Sequence, residues 1–232
     1  MELAEPLLEP VLADLAARAE EILVLPLALF AAGHVKNDIP VALARARARF
    51  PAVRFLAAEP LGVHHALARL AYERAGVAGP LDPARTAAVV VGRGSSDPDA
   101  NGDFCKMVRL FEEGRGFRWV FPCFVGITRP LLAEALDLAA RARPERLLVV
   151  PYFLCAGVLL DRIRSQVEAF AARAPWIRTT VAPHLAAHED LFAVLDERLG
   201  AAVEGRRTLP CDNCQYRVPL PGREDQVGGL RA

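Results

Sequence analysis

One of the five histidines in this 232-residue chain, His34, stands in "LFAAGHVKNDIP", between a small-residue turn and the onset of a helix. A neutral imidazole offers one lone pair, which suits Co2+, Fe2+ or Ni2+. Glu2 reads as the end of a strand, where a carboxylate can accept a proton or complete a metal site. In Gly92-Arg93-Gly94-Ser95, Arg93 has no lone pair and cannot ligate a metal, but its planar guanidinium can hold a carboxylate. The same glycine turn lacks the third glycine of a dinucleotide fingerprint and the Gly-Lys-Ser/Thr of a P-loop. Cys211 and Cys214 form a Cys-x-x-Cys pair, whose thiolates can bite one metal or one iron of a cluster. A closed site needs about four ligands, so Cys105, Cys123, Cys155 or a second subunit would have to complete it. A redox pair and a tail without function are the other readings of that motif, the former weakened because a thioredoxin-type pair opens a helix after a strand.

An internal repeat decides which of these groups the fold itself requires. At a constant separation of 124 residues, "RFPAVR" (49–54) falls on "RAPWIR" (173–178), Pro6-Leu7-Leu8 on Pro130-Leu131-Leu132, and Glu73-Arg74 on Glu197-Arg198. Where one copy keeps a polar group and the other does not, the shared fold does not need it. His34 falls on Val158 and Glu2 on Gly126, so both are candidates for function; His64 falls on His188, so that pair reads as structural, near helix starts. Asn37 or Asp38 is expected to cap the helix after His34, with Pro40 in its first turn.

The second copy alternates apolar runs at 86–92, 117–125, 146–154 and 177–183 with helical periodicity at 99–113, 130–143, 161–173 and 188–203. The first copy shows helices at 4–21, 38–50 and 64–75 and strands at 22–30 and 52–60. Parallel strands need crossover helices, so each copy is expected to be a three-layer α/β half around a mostly parallel sheet. The first strand and helix of the first copy have no counterpart in the sequence, and a working protein with residues upstream of Met1 is expected. The expected division is a first half over 1–80, a second over 81–204, and a Pro/Gly-rich tail over 205–232.

Twenty-eight basic residues balance 28 acidic ones, which gives no global argument for binding nucleic acid or an anionic membrane. No apolar run reaches the roughly 18 residues of a membrane span, and no signal peptide is visible, so the cytoplasm is the expected location. Five cysteines, an odd count, argue for free thiols or a metal site over a disulfide framework.

With the repeat, "AAGHVKNDIP" and "CDNCQYRVPLPG" in view, the chain resembles the long form of the sirohydrochlorin cobaltochelatases of cobalamin biosynthesis, class II chelatases with two similar α/β halves enclosing a tetrapyrrole cleft. "MELAEP" is similar to the family's strand-end "LELAEP". The resemblance implies an ATP-independent lyase that inserts Co2+ into sirohydrochlorin as two protons leave. It assigns the metal to His34 and Glu2, with Glu2 also taking or relaying a proton, and the substrate's peripheral carboxylates to arginines such as Arg93 and Arg129. It implies an iron–sulfur cluster on Cys211 and Cys214, and it is compatible with a homodimer. The family's first histidine lies in a Gly-His-Gly-Ser turn that this sequence does not contain; the matching turn of the second copy carries Arg93 instead. Insertion of Fe2+ for siroheme is the nearest alternative, and a non-catalytic tetrapyrrole-binding protein is the alternative that the missing histidine favours.

Overall fold

The computed structural model describes residues 5–205. Two α/β halves appear, each with a parallel sheet. In the second half, strands β3 (Thr86–Gly92), β4 (Trp119–Phe124), β5 (Arg146–Pro151) and β6 (Arg178–Val181) form one sheet in the order β4-β3-β5-β6, every pair parallel. "TAAVVVG" and "RLLVVP" are buried along their whole length because both lie inside the sheet with helices on each face. Their odd-numbered residues, Ala87, Val89, Val91, Leu147 and Val149, pack with α5 (Leu132–Arg141) and α6 (Val158–Arg173) through Leu136, Ile163 and Phe170. Ala88, Val90, Leu148 and Val150 are buried as well, and α4 (Pro98–Glu112) and α3 (His65–Val77) contact β4 and β5. Arg146 opens β5 as a buried cation. Its guanidinium donates to the carbonyls of Ala78 at 2.9 Å and of Pro80, and to Thr180 Oγ1 at 3.1 Å, fixing the segment that joins the repeats to the sheet.

In the first half, β1 (Glu21–Val24) and β2 (Arg54–Ala57) pair in parallel, with Leu23 opposite Leu56. Leu12 of α1 (Leu8–Ala16) and Ile39 and Leu43 of α2 (Ile39–Arg49) bury against Ile22 and Phe55. These are two strands among the described residues where the second half has four. β1 ends at Val24, and residues 25–32 run as loop up to the turn that carries His34. The repeat is visible in the element bounds: β2 and β6 begin at Arg54 and Arg178, and α3 and α7 (Glu189–Val203) begin at His65 and Glu189, each pair 124 residues apart. The Glu5–Pro6 and Arg129–Pro130 peptide bonds are both cis and also fall at equivalent positions.

The compact units do not follow the repeat boundary at residue 80. Among the described residues, one unit is Val63–Phe192; the other joins 5–62 with 193–205. The closing helix of each repeat hydrogen-bonds to the other repeat. Arg74 on α3, from the first repeat, donates through Nε at 3.0 Å and Nη2 at 2.8 Å to the carbonyl of Leu185 in the second. Arg198 on α7, from the second repeat, donates through Nε at 3.1 Å to the Pro60 carbonyl and through Nη2 at 2.9 Å to the Leu61 carbonyl in the first. Leu61 and Leu185 are themselves equivalent, so a single contact is made twice, reciprocally.

Candidate metal centre

His34 follows the loop after β1 and opens a widened turn, His34–Asp38, that runs directly into α2. The Ile39 amide returns to the His34 carbonyl, five residues back, which is the π-helical pattern. Inside this turn Val35 and Lys36 are buried, Lys36 at 3% exposure, while His34 and Asp38 keep side-chain exposures of 50% and 47%. Asp38 does not cap α2, as the sequence suggested; it makes no side-chain hydrogen bond to the helix start. Instead His34 Nδ1 lies 2.6 Å from Asp38 Oδ2. An ionised carboxylate can only accept, so Nδ1 carries the proton and Nε2 keeps the lone pair a metal would take. A half-exposed pair four residues apart stabilises a helix by only about 0.3–0.5 kcal/mol. Stability is too small a return to account for the arrangement.

Arg93 and Arg129 sit on adjacent turns at the carboxyl ends of the neighbouring strands β3 and β4, the edge where ligands bind in open α/β sheets. The two turns touch: Val125 donates its amide to the Gly92 carbonyl at 2.9 Å, and a Cβ on Gly94 would lie 2.0 Å from the Gly126 oxygen. Gly94 has φ +86°, so it is required there for both conformation and space. Arg93 is exposed, and no carboxylate among the described residues pairs with it. Arg129 is exposed but pairs with Glu134, whose other oxygen accepts the Leu131 amide at 2.7 Å at the start of α5. Ile127, two residues before Arg129 in the same turn, is an exposed β-branched residue held at φ +68°. Val158, at the place of His34 in the second repeat, is 71% exposed and begins an ordinary α-helix.

Among the described residues one other group of histidine and carboxylates converges: ligand atoms of Glu73, His188 and Asp190 lie within 4.8 Å of one another. Its hydrogen bonding argues against a metal. His188 Nδ1 accepts the Asp190 amide at 3.3 Å, so Nε2 bears the hydrogen and faces Glu73 at 3.9 Å, while Asp190 is held by Arg69. His64 does the same at α3, accepting the Ala66 amide at 3.1 Å. The two histidines are one helix-starting device written twice, as their equivalence implies.

Of the three described cysteines, Cys123 is buried in β4, where burial pushes its thiol well above the ordinary range; Cys105 and Cys155 are exposed and free. Glu2, Cys211 and Cys214 lie outside the described residues. A small cavity of about 50 Å³ between α1 and α2, lined by Leu12, Arg45 and Phe50 among others, is far too small for a macrocycle and touches none of the candidate residues. No helix of the described residues is long and apolar enough to cross a membrane.

The CbiX family model matches residues 1–78 and 87–202. The sirohydrochlorin cobaltochelatase of Priestia megaterium is 35% identical over 205 residues, covering 87% of this chain and 67% of that protein. The sirohydrochlorin ferrochelatase of Bacillus subtilis (strain 168) is 33% identical over 177 residues, covering 75% of this chain and 67% of that protein. Among solved structures, SirB from Bacillus subtilis with Fe3+ aligns with a TM-score of 0.76 at 28% identity, over 88% of this chain and 81% of that one. SirB from Bacillus subtilis subspecies spizizenii in complex with cobalt aligns with a TM-score of 0.71 at 28% identity, over 88% and 79%. Two repeated α/β halves, an exposed histidine after the first-half strand and a family match along nearly the whole described length lead to one assignment: the chain belongs to the CbiX family.

Proposed function

We propose that this chain is a sirohydrochlorin chelatase, with cobalt as the metal. The observation that carries the reading is the half-exposed imidazole of His34, its Nδ1 engaged by Asp38 and its Nε2 left as donor, in a chain similar to a cobaltochelatase over 87% of its length. In this reading a divalent cobalt ion, the substrate metal, is delivered from His34 Nε2 into the ring, and Glu2 receives or relays one of the two N–H protons that leave. Because protons are exchanged for a metal with no bond to a phosphate broken, no nucleotide is needed. Arg93 supplies a free guanidinium for the peripheral carboxylates of sirohydrochlorin; Arg129 serves the same end after exchanging its bond to Glu134 for one to substrate. The iron–sulfur cluster proposed on Cys211 and Cys214 has no part in the chelation step.

A second reading takes Fe2+ as the metal, supported by similarity to ferrochelatases of Priestia megaterium, at 30% identity, and Bacillus subtilis (strain 168), at 33%. Histidine and carboxylate ligands accept both ions, so the residues themselves give no preference. The test is anaerobic conversion of sirohydrochlorin followed by absorbance, with Co2+ and Fe2+ supplied separately and in competition. Conversion of sirohydrochlorin is expected, faster with cobalt, and His34→Ala is expected to lower the rate by about a hundredfold or more, the upper end of what loss of a ligand's supporting contact alone costs. Faster iron insertion would favour the second reading. No conversion with either metal, beside tight binding of sirohydrochlorin, would mark a tetrapyrrole-binding protein instead.

A further inference from the structure

We infer that Asp38 is the positioning residue for His34: its carboxylate holds the imidazole in the Nδ1–H tautomer and so commits Nε2 to the metal. The inference rests on the reading of His34 as the metal-donating residue and names the group that prepares it.

Four observations converge on Asp38. The 2.6 Å contact between His34 Nδ1 and Asp38 Oδ2 has the length of a charge-assisted hydrogen bond. Asp38 occupies the N-cap position of α2 without capping it, so its acceptor capacity is turned away from the helix start, where Asp is ordinarily most useful. The backbone between the two residues adopts the π-helical turn His34–Asp38, a local departure from α-geometry that recurs at functional sites. The internal repeat supplies the control. Buried Ile39 and Leu43 of the first half correspond to buried Ile163 and Val167 of the second, so the two helices pack in the same register. Yet where the first half has His34, Asp38 and a widened turn, the second has Val158, Arg162 and a regular helix from Val158 onward. Histidine, aspartate and π-turn are present together or absent together. A fold that required the turn for packing would have kept it in both halves.

The chemistry of the pair is specific. A free histidine side chain favours the Nε2–H tautomer, which turns the wrong nitrogen outward. A carboxylate fixed against Nδ1 reverses that preference and stops rotation of the ring, which is how carboxylate–histidine pairs serve metal sites. An aspartate one turn away on the same short segment does this without help from any other element. Because both side chains are half-exposed, the ring remains accessible to an incoming ion.

The test uses the full chain with Asp38→Ala, Asp38→Asn and His34→Ala. Co2+ binding to the protein alone is measured by titration calorimetry, chelation kinetics give KM for Co2+ and for sirohydrochlorin separately, and long-range 15N–1H spectra of the metal-free protein report the His34 tautomer. Asp38→Ala is expected to weaken Co2+ binding by about 10- to 100-fold, to raise KM for the metal while leaving KM for sirohydrochlorin unchanged, and to shift His34 toward Nε2–H. Asp38→Asn, whose amide oxygen still accepts the Nδ1 hydrogen, is expected to recover most of the loss. If His34→Ala abolishes Co2+ binding while Asp38→Ala binds within twofold of the native chain and keeps the Nδ1–H tautomer, Asp38 is not the positioning residue, though His34 stands. If His34→Ala binds Co2+ like the native chain, the reading of His34 fails, and this inference with it. Should Asp38→Ala fold poorly, the Asn variant and the native tautomer decide: a native His34 in the Nε2–H form overturns the inference outright.

Discussion

The turn that presents Arg93 is held by a residue with no side chain. Gly94 combines a positive φ with a backbone oxygen of Gly126 in the space a Cβ would fill. Gly94→Ala therefore has two costs, left-handed strain of about 1 kcal/mol or more and a clash that only movement of the neighbouring turn relieves. The expected destabilisation exceeds about 2 kcal/mol, checked by the denaturation midpoint in urea. A variant as stable as the native chain would show that the two turns are not packed as described. Because those turns carry Arg93 and Arg129, the same variant is expected to raise KM for the tetrapyrrole. His184 offers a residue-scale pH test. Burial, then the charges of Arg164 and Arg74, lower its pKa from the ordinary 6.5. The unfolded chain thus takes up the proton first. His184 contributes its full stability above the unfolded value and loses it as pH falls through the folded one. Thermal unfolding between pH 7.5 and 5 is expected to show a smaller acid loss in His184→Gln than in the native chain, and an unchanged slope would remove His184 as its source.

At the scale of elements, the strands and helices of the second half were legible because period and apolar runs both pointed the same way. "TAAVVVG" is buried on both faces and reads as an unbroken apolar run. The run 22–30 read as one strand, but only Glu21–Val24 pairs, since an apolar run does not reveal where hydrogen-bonded partners stop. The repeat comparison set His34 apart from His64 and His188, and the latter two start helices as their equivalence suggests. Asp38 was missed, because Asp before an Ile-Pro helix start is ordinarily a cap; the i to i+4 spacing of His34 and Asp38 was the available signal. The reciprocal contacts of α3 and α7 were hidden for another reason: hydrophobic periodicity tells that a helix has a buried face and not which repeat its polar side chains reach. Those contacts make a prediction. Arg198 is buried, and its loss leaves the Pro60 and Leu61 carbonyls without their donor, at about 1–3 kcal/mol per unsatisfied group. Arg198→Ala is expected to speed amide hydrogen exchange around Leu61, and Arg74→Ala, a half-buried counterpart, to speed it around Leu185 by less. Equal exchange in native and variant chains would mean that these arginines do not hold the helices in place.

At the scale of the whole molecule, a balanced net charge leaves recognition to placed groups rather than to a general field. On the reading proposed above, recognition falls to the carboxyl edge of the second half, where Arg93, Arg129, Ile127 and Val158 are exposed, a mixture of cations and apolar surface that suits a flat ring with an acidic rim. The first half carries the candidate metal donor. The closing helices also set an order in time. Among the described residues, the unit that holds His34 is made of 5–62 and 193–205, and Val63–Phe192 of the other unit separates these two stretches in sequence. On a ribosome adding about 5–20 residues per second, the first segment emerges roughly 7 to 28 seconds before the helix that completes it. The half bearing the histidine is thus synthesised first and finished last. During that interval its apolar surfaces, Leu61 among them, depend on chaperones or on partial collapse.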